Sequence, residues 1–283
     1  MKRNILFCLS IILLLPGSSL GKTLEIKYFQ THPRYEYRVK LLELALEKAV
    51  RPKGAYKLRS YGRPVTQARG MALLAGNEVD VAFLATNQER EKKYLPIRIP
   101  ILRGILGYRV FLIHEDSKEH FAGVTDFEEL RRNFRAGFGS HWADYEILKA
   151  NRINVVGVAA YENLFKMLMK KRFDFFPRGI SEAWDEVKSK STIYPALMVE
   201  ENLALYYPFP IYFFVNRTNR QLADTIEKGL KIALEDGSFK EVFLKYHQAV
   251  IGRANFGNRR LFKLKNPTLP DSFSEIDTNW WLK

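Results

Sequence analysis

A single cysteine, Cys8, is the whole thiol content of this 283-residue chain. It lies inside an apolar run near the amino terminus, without the small residues that lipidation needs just before a cleavage point. A disulfide framework, a thiol nucleophile and a lipid anchor are therefore excluded from the mature chain. No later stretch reaches the roughly 18 consecutive apolar residues of a membrane span, so a soluble protein is expected. There is also no phosphate-binding glycine loop, no internal repeat, and no metal-ligand spacing among His32, His114, His120, His141 and His247. Ser140 stands beside His141, but neighbours in sequence rarely point at one another, and GFGSH is not the G-x-S-x-G nucleophile elbow. Glu182, Asp185 and Glu186 share a helix and read as its solvated face. Function has to be argued from a site, and no catalytic site is assembled here, so an enzyme is the least supported reading. Neither a cofactor nor a metal is expected.

What is present starts with a leader. Lys2 and Arg3 precede an apolar run over residues 5–15, then Pro16 and the small-residue tract ending Ser19-Leu20-Gly21. This is the layout of a secretory signal over 1–21, with cleavage after Gly21. Removing Lys2 and Arg3 lowers the formal charge from +14 to +12. A balance this basic suits nucleic acid, a membrane surface or an anionic ligand. The cations are dispersed, however, and the densest runs, Arg131-Arg132 and Lys170-Lys171-Arg172, fall where helices end and the dipole favours them. No groove-reading motif accompanies the charge, so no nucleic-acid partner is expected.

Periodicity predicts strands alternating with helices. Residues 23–29 alternate Leu24, Ile26 and Tyr28 against Glu25 and Lys27. A helix over 34–51 places Val39, Leu42, Leu46 and Ala49 on one stripe, stopped by Pro52 and Gly54. A strand over 56–61 leads to a helix facing inward with Val65, Ala68, Ala72 and Ala75, ended by Gly76, and then to a buried strand over 79–84. A polar loop with Thr86, Asn87 and Arg90 follows, and an apolar run over 105–113 leaves the first half. The pattern then restarts, with a capping box at Thr125-Asp126-Phe127-Glu128 and further strands over 134–138, 153–158, 173–176 and 194–199. Gly139-Ser140 opens a helix between the first two of these. Residues 207–215 read as a return crossing, and two helices over 222–234 and 239–246 pack back on the first half. A parallel sheet of this kind collects ligands beyond the carboxyl ends of its strands.

The order of Asp80, the strand it begins, Thr86 and Arg90 resembles the second structural type of periplasmic solute-binding protein, in the branch that binds amino acids. The resemblance covers residues 22 to about 248. It implies an α/β, two-lobe periplasmic-binding-protein-like II fold with two hinge crossovers: leader 1–21, lobe 1 over 22–112 and 207–250, lobe 2 over 113–206, and a tail over 251–283. It also implies a monomer in the periplasm that closes on a small polar solute. The membrane partner would be an ABC-type permease, or alternatively a sensor protein such as a kinase or chemoreceptor.

The resemblance places a carboxylate-gripping arginine at Arg90, although Thr86-Asn87-Gln88-Glu89-Arg90 is one residue out of step with the family's Thr-x-x-Arg. Its aromatic after the first strand falls on Phe29 or Tyr35, and its hydroxyl at a lobe-two helix start falls on Ser140. Where amino-acid binders place an Asp for the ligand's ammonium group, this chain reads Asp174-Phe175-Phe176-Pro177-Arg178. A cation replacing an anion favours an acidic ligand without a free amine, while Glu182 restores a negative charge nearby. Arg90 and Arg178 have the planar fork that matches carboxylates. The backbone over 137–142 offers free N–H groups to an anion, or Ser140 is a plain N-cap. Trp142, Tyr61, Phe29 and Tyr35 either wall in a ligand or belong to the core. Arg63 completes the candidate set.

Overall fold

The computed structural model describes residues 23–50, 56–271, 273, 280 and 281. The leader with Cys8, and the Pro52 and Gly54 expected to stop the first helix, lie outside the described residues. Regular structure begins with β1 (Leu24–Tyr28), α1 (Glu36–Ala49), β2 (Tyr56–Ser60), α2 (Gln67–Ala75), β3 (Ala82–Ala85), α3 (Gln88–Lys93) and β4 (Leu95–Ile97). A second group holds β5 (Tyr108–His114), α4 (Lys118–Ala122), α5 (Phe127–Asn133), β6 (Arg135–Gly139), α6 (Ala143–Ala150), β7 (Asn154–Val158), α7 (Tyr161–Met169), β8 (Phe175–Gly179), α8 (Ala183–Lys190), β9 (Leu197–Val199) and β10 (Leu203–Tyr206). The chain returns through β11 (Ile211–Val215), α9 (Arg220–Glu235) and α10 (Ser238–Ala254), and then forms β12 (Arg260–Lys263).

In the first lobe β1 and β2 pair in parallel, and a parallel bridge between Tyr28 and Val81 carries the pairing towards β3. β11 runs antiparallel between β3 and β4 and is buried throughout. It takes that direction because it arrives from the other lobe rather than through a local crossover helix. α1 packs on α9 most closely at Gly229, where a Cβ would overlap the Ala45 backbone carbonyl. The second lobe's sheet has the order β12-β10-β5-β8-β6-β7, with β9 also beside β5. Its core is aromatic, with Phe111, Phe121, Phe165, Phe173, Phe175 and Phe176 fully buried. β5, the apolar run that leaves the first half, pairs with β8, β9 and β10, so the first crossing is made between Ile97 and Tyr108. The second runs from Tyr206 to Ile211.

The two Asp-plus-hydrophobic runs do the same work in each lobe. Asp80 accepts the Lys27 backbone N–H at 2.7 Å, and Asp174 accepts that of Arg135 at 2.6 Å. Each carboxylate thereby aligns its strand with its parallel neighbour.

Several local expectations are corrected. The capping box sits one residue later: Asp126 caps the Glu129 N–H at 2.8 Å, and Glu129 reaches back to the Thr125 N–H at 2.8 Å. On α2 the larger side chains Met71, Leu73 and Leu74 take the core, leaving Ala68, Ala72 and Ala75 exposed. The tail contributes to the second lobe's sheet. β12 joins the second sheet beside β10, Asn266 donates to the Pro208 carbonyl at 2.8 Å, and the Thr268 carbonyl accepts the Gln88 N–H at 3.0 Å. The tail therefore passes over the second crossing and reaches the first lobe. Among the described residues no helix is long and apolar enough to cross a membrane.

Candidate functional site

A cavity of about 940 Å³ lies between the lobes. Tyr35, Arg38, Thr86 and Arg90 line it from the first lobe, and Tyr246 and His247 from α10. His141, Trp142 and Glu182 line it from the second lobe, and Phe209 from the second crossing. Arg90 is not on a loop. The Asn87 side chain accepts the Arg90 N–H at 2.7 Å and so starts α3, which places Arg90 in the first turn. Its guanidinium donates to the Ala85 carbonyl. Arg38 donates to the Phe83 carbonyl at 3.3 Å, and its guanidinium lies 4.8 Å from the Tyr35 ring centroid. Arg34 lies 4.8 Å from the same centroid and donates to the Tyr35 hydroxyl at 2.7 Å.

Burial pushes the Arg38 guanidinium down to about 10, with the Arg34 charge acting in the same direction. Burial lowers Arg90 as well. Desolvation penalises the charged form, so two half-buried guanidiniums bonded only to carbonyls are electrostatically unfinished. Among the described residues neither forms an ion pair. Behind them the Thr86 hydroxyl donates to Glu91 at 2.6 Å, and Glu91 also accepts from Arg98 at 2.7 Å, so Thr86 presents surface to the cavity while its hydroxyl is held. His247 packs against the Tyr37 and Phe243 rings, with centroids 4.6 and 4.9 Å away. Burial and then the Arg38 charge depress it to about 4, so it is neutral.

The second lobe's wall is preassembled. Trp142 stacks on Phe176 at 6.1 Å, and a Cβ at Gly139 would overlap its indole, so this glycine is what lets the ring lie there. Arg178 is the last but one residue of β8 rather than a loop residue. It is fully partnered: it forks onto Glu186 at 2.7 and 2.5 Å and reaches Glu182 at 3.1 Å. Burial opposes its charge, but Glu186 and Glu182 more than offset this and raise its pKa. Glu186 is accordingly not part of a solvated face, since α8 turns it onto Arg178; Glu182, the residue just before α8, reaches Arg178 while staying exposed, and Asp185 is exposed as expected. Beneath Trp142 a second cavity of about 470 Å³ holds a buried network. Arg109 donates to the Tyr207 hydroxyl at 2.7 Å and pairs with Asp144, and Tyr207 donates to Asp144 at 2.6 Å. It ties α6 to β5 and to the second crossing.

Other sequence candidates lie elsewhere. Ser140 is exposed and bonds through its backbone to the Val158 carbonyl; the residue capping α6 is Trp142, and Ser140 lines neither of these cavities. Tyr61 packs on the first lobe's core, with the exposed Arg63 guanidinium 5.6 Å from its ring. Phe29 is buried against Gly70 and lines a smaller adjoining cavity of about 210 Å³. Sequence reasoning passed over Arg38 and His247. Arg34 and Arg38 are four residues apart, Arg34 just before α1 and Arg38 in its first turn, where cations are disfavoured by the helix dipole, and that was the signal to notice.

No protein-family model matches the chain, and no curated protein matches it in sequence. Solved structures do match. A probable amino-acid ABC transporter extracellular-binding protein from Bacillus subtilis superposes with a TM-score of 0.56 at 17% identity, over 79% of this chain and 96% of that one. The chain has the fold of a type 2 periplasmic solute-binding protein. An ancestral arginine-binding protein bound to arginine shares this solute-binding fold at TM-score 0.52 and 16% identity, over 80% and 98% of the two chains. So does a histidine kinase sensor domain with similarity to periplasmic binding proteins, at TM-score 0.51 and 14% identity, over 80% and 96%. In this solute-binding fold the 940 Å³ cavity is the cleft between the two lobes.

Proposed function

We propose that the chain is a non-catalytic receptor, exported by its leader to the periplasm. It captures a small anionic solute in the cleft and presents it to a membrane permease of the ABC type. The observation that carries this reading is the pair Arg38 and Arg90, half-buried in the cleft wall and lacking any carboxylate partner among the described residues. A ligand carboxylate supplies the two parallel hydrogen bonds that a guanidinium seeks and removes the cost of its burial. Tyr35 and Trp142 add aromatic surface from opposite lobes, so a bound ligand touches both and favours the closed arrangement by its extra affinity for it. The likeness to a histidine kinase sensor domain supports a second reading, in which the same capture signals instead of feeding transport.

The test is mass spectrometry of whatever co-purifies with the native protein, followed by a thermal-shift screen of small carboxylic acids. A true ligand at about 1,000 times its Kd adds roughly 4 kcal/mol of stability, a large shift. If no acid raises the melting temperature, the reading fails. Transport defects on deleting a neighbouring permease gene separate the permease role from a kinase partner.

A further inference from the structure

Beside the cleft, in the 470 Å³ cavity that shares Trp142 and Glu182 with it, the second lobe holds a box with the chemistry of a cation site, and the protein fills it from within. Trp142, Phe176 and Tyr161 surround the Arg178 guanidinium, with ring centroids 5.0, 5.0 and 5.9 Å from its central carbon. Glu186 receives both arms of the fork and Glu182 a third contact. Tyr161 locks Glu186 by donating to it at 2.7 Å. Aromatic faces, a bidentate carboxylate and exclusion of water are what binding a guanidinium or ammonium group calls for. Every carboxylate in the box is spent on Arg178, whose side chain is 10% exposed.

We infer that Arg178 is a specificity-determining residue: it occupies, as a tethered internal surrogate, the place where a ligand's cationic group would be held, and so turns the receptor away from amino acids and amines. The inference rests on the cleft being the ligand site. A tethered group competes at an effective concentration of about millimolar or above, which a dilute free amine cannot match. Removing it leaves the buried Glu186 beside aromatic rings without its forked partner, an arrangement that a small guanidinium compound repairs.

The test uses the mature chain and its Arg178→Ala variant with methylguanidinium at up to about 20 mM, too dilute to denature. The variant is expected to gain a saturable rise in melting temperature of roughly 3–6 °C at about ten times Kd, absent from the parent protein. Adding Glu186→Gln to the variant is expected to abolish the rise. A folded Arg178→Ala variant that shows no saturable response overturns the proposal. Should that variant not fold, the parent protein still decides: paired titrations with glutarate and glutamate, and with succinate and aspartate, compare acids differing only by the α-amino group. Preference for the amine-free acid by tenfold or more supports the proposal, and equal or better binding of the amino acid overturns it. If no acid of either kind binds, the anion-receptor reading fails, while the methylguanidinium response still reports on the box alone.

Discussion

Asp144→Ala isolates the network under the cleft. Asp144 and Arg109 have side chains only 10% and 8% exposed, so removing the carboxylate strands a largely buried guanidinium. It also takes away the acceptor of the Tyr207 hydroxyl. Breaking a buried pair from one side costs about 3–5 kcal/mol, and an orphaned hydroxyl adds about 1 kcal/mol or more. Allowing for relaxation, roughly 4 kcal/mol is expected, set against a total of about 5–15 kcal/mol for a folded protein. At about 2–4 °C per kcal/mol for a unit of this size, the melting temperature falls by roughly 8–16 °C. The assay is thermal unfolding by circular dichroism on the parent and Asp144→Ala, and on Asp144→Leu, Arg109→Met and their double variant, closed as a cycle. Because an apolar pair of similar volume has no charge to strand, the double variant is expected to be less damaged than either single one. A loss below about 1 kcal/mol for Asp144→Ala, or a double variant no better than the sum of the singles, refutes the reasoning.

Two further outcomes follow from the cleft wall. His247 is held at about 4 against an unfolded value of 6.5, so between those pH values the unfolded chain binds a proton that the folded chain does not. This part of the stability is present above pH 6.5, falls as pH drops towards 4, and amounts to about 3 kcal/mol. His247→Gln is expected to flatten that segment in denaturant titrations at several pH values, and an unchanged slope contradicts the assignment. Gly139→Ala forces the Trp142 ring out of its stack on Phe176. A loss of about 1–3 kcal/mol with a shift in tryptophan emission is expected, and an unaltered spectrum shows that the ring does not depend on the glycine.

The helix and strand alternation was legible because it is local. β1 forms where the alternation puts it although only Ile26 is buried and Leu24 is exposed, α7 buries Leu164, Phe165 and Leu168 on one stripe as expected, and the run into β11 is apolar throughout. What was not legible depends on distant partners or on short elements. β4 has three residues and β12 is exposed at two of its four, so neither carries enough pattern to be seen before β11 and β10 are in place. α3 is wholly polar, and only the Asn87 cap marks it. In the site, the resemblance pointed to Arg90 and the helix start after a strand to Trp142, and both line the cleft. The partners of Arg178 were not, although Glu182 and Glu186 are spaced four apart and so share one helical face. Spacing says that two carboxylates point the same way; it does not say whether that way is water or a neighbouring strand. Arg38 was missed because it lies inside an amphipathic helix read for its apolar stripe.

The central claim is that an acid is held between the lobes by Arg38 and Arg90. Isothermal titration of the acid that most stabilises the protein, against the parent, Arg38→Ala and Arg90→Ala at one salt concentration, tests it directly. Each charge-assisted contact is worth about 1.5–3 kcal/mol, so each variant is expected to bind roughly 10- to 150-fold more weakly while unfolding at a similar temperature. Dissociation constants within about twofold of the parent in both variants contradict it.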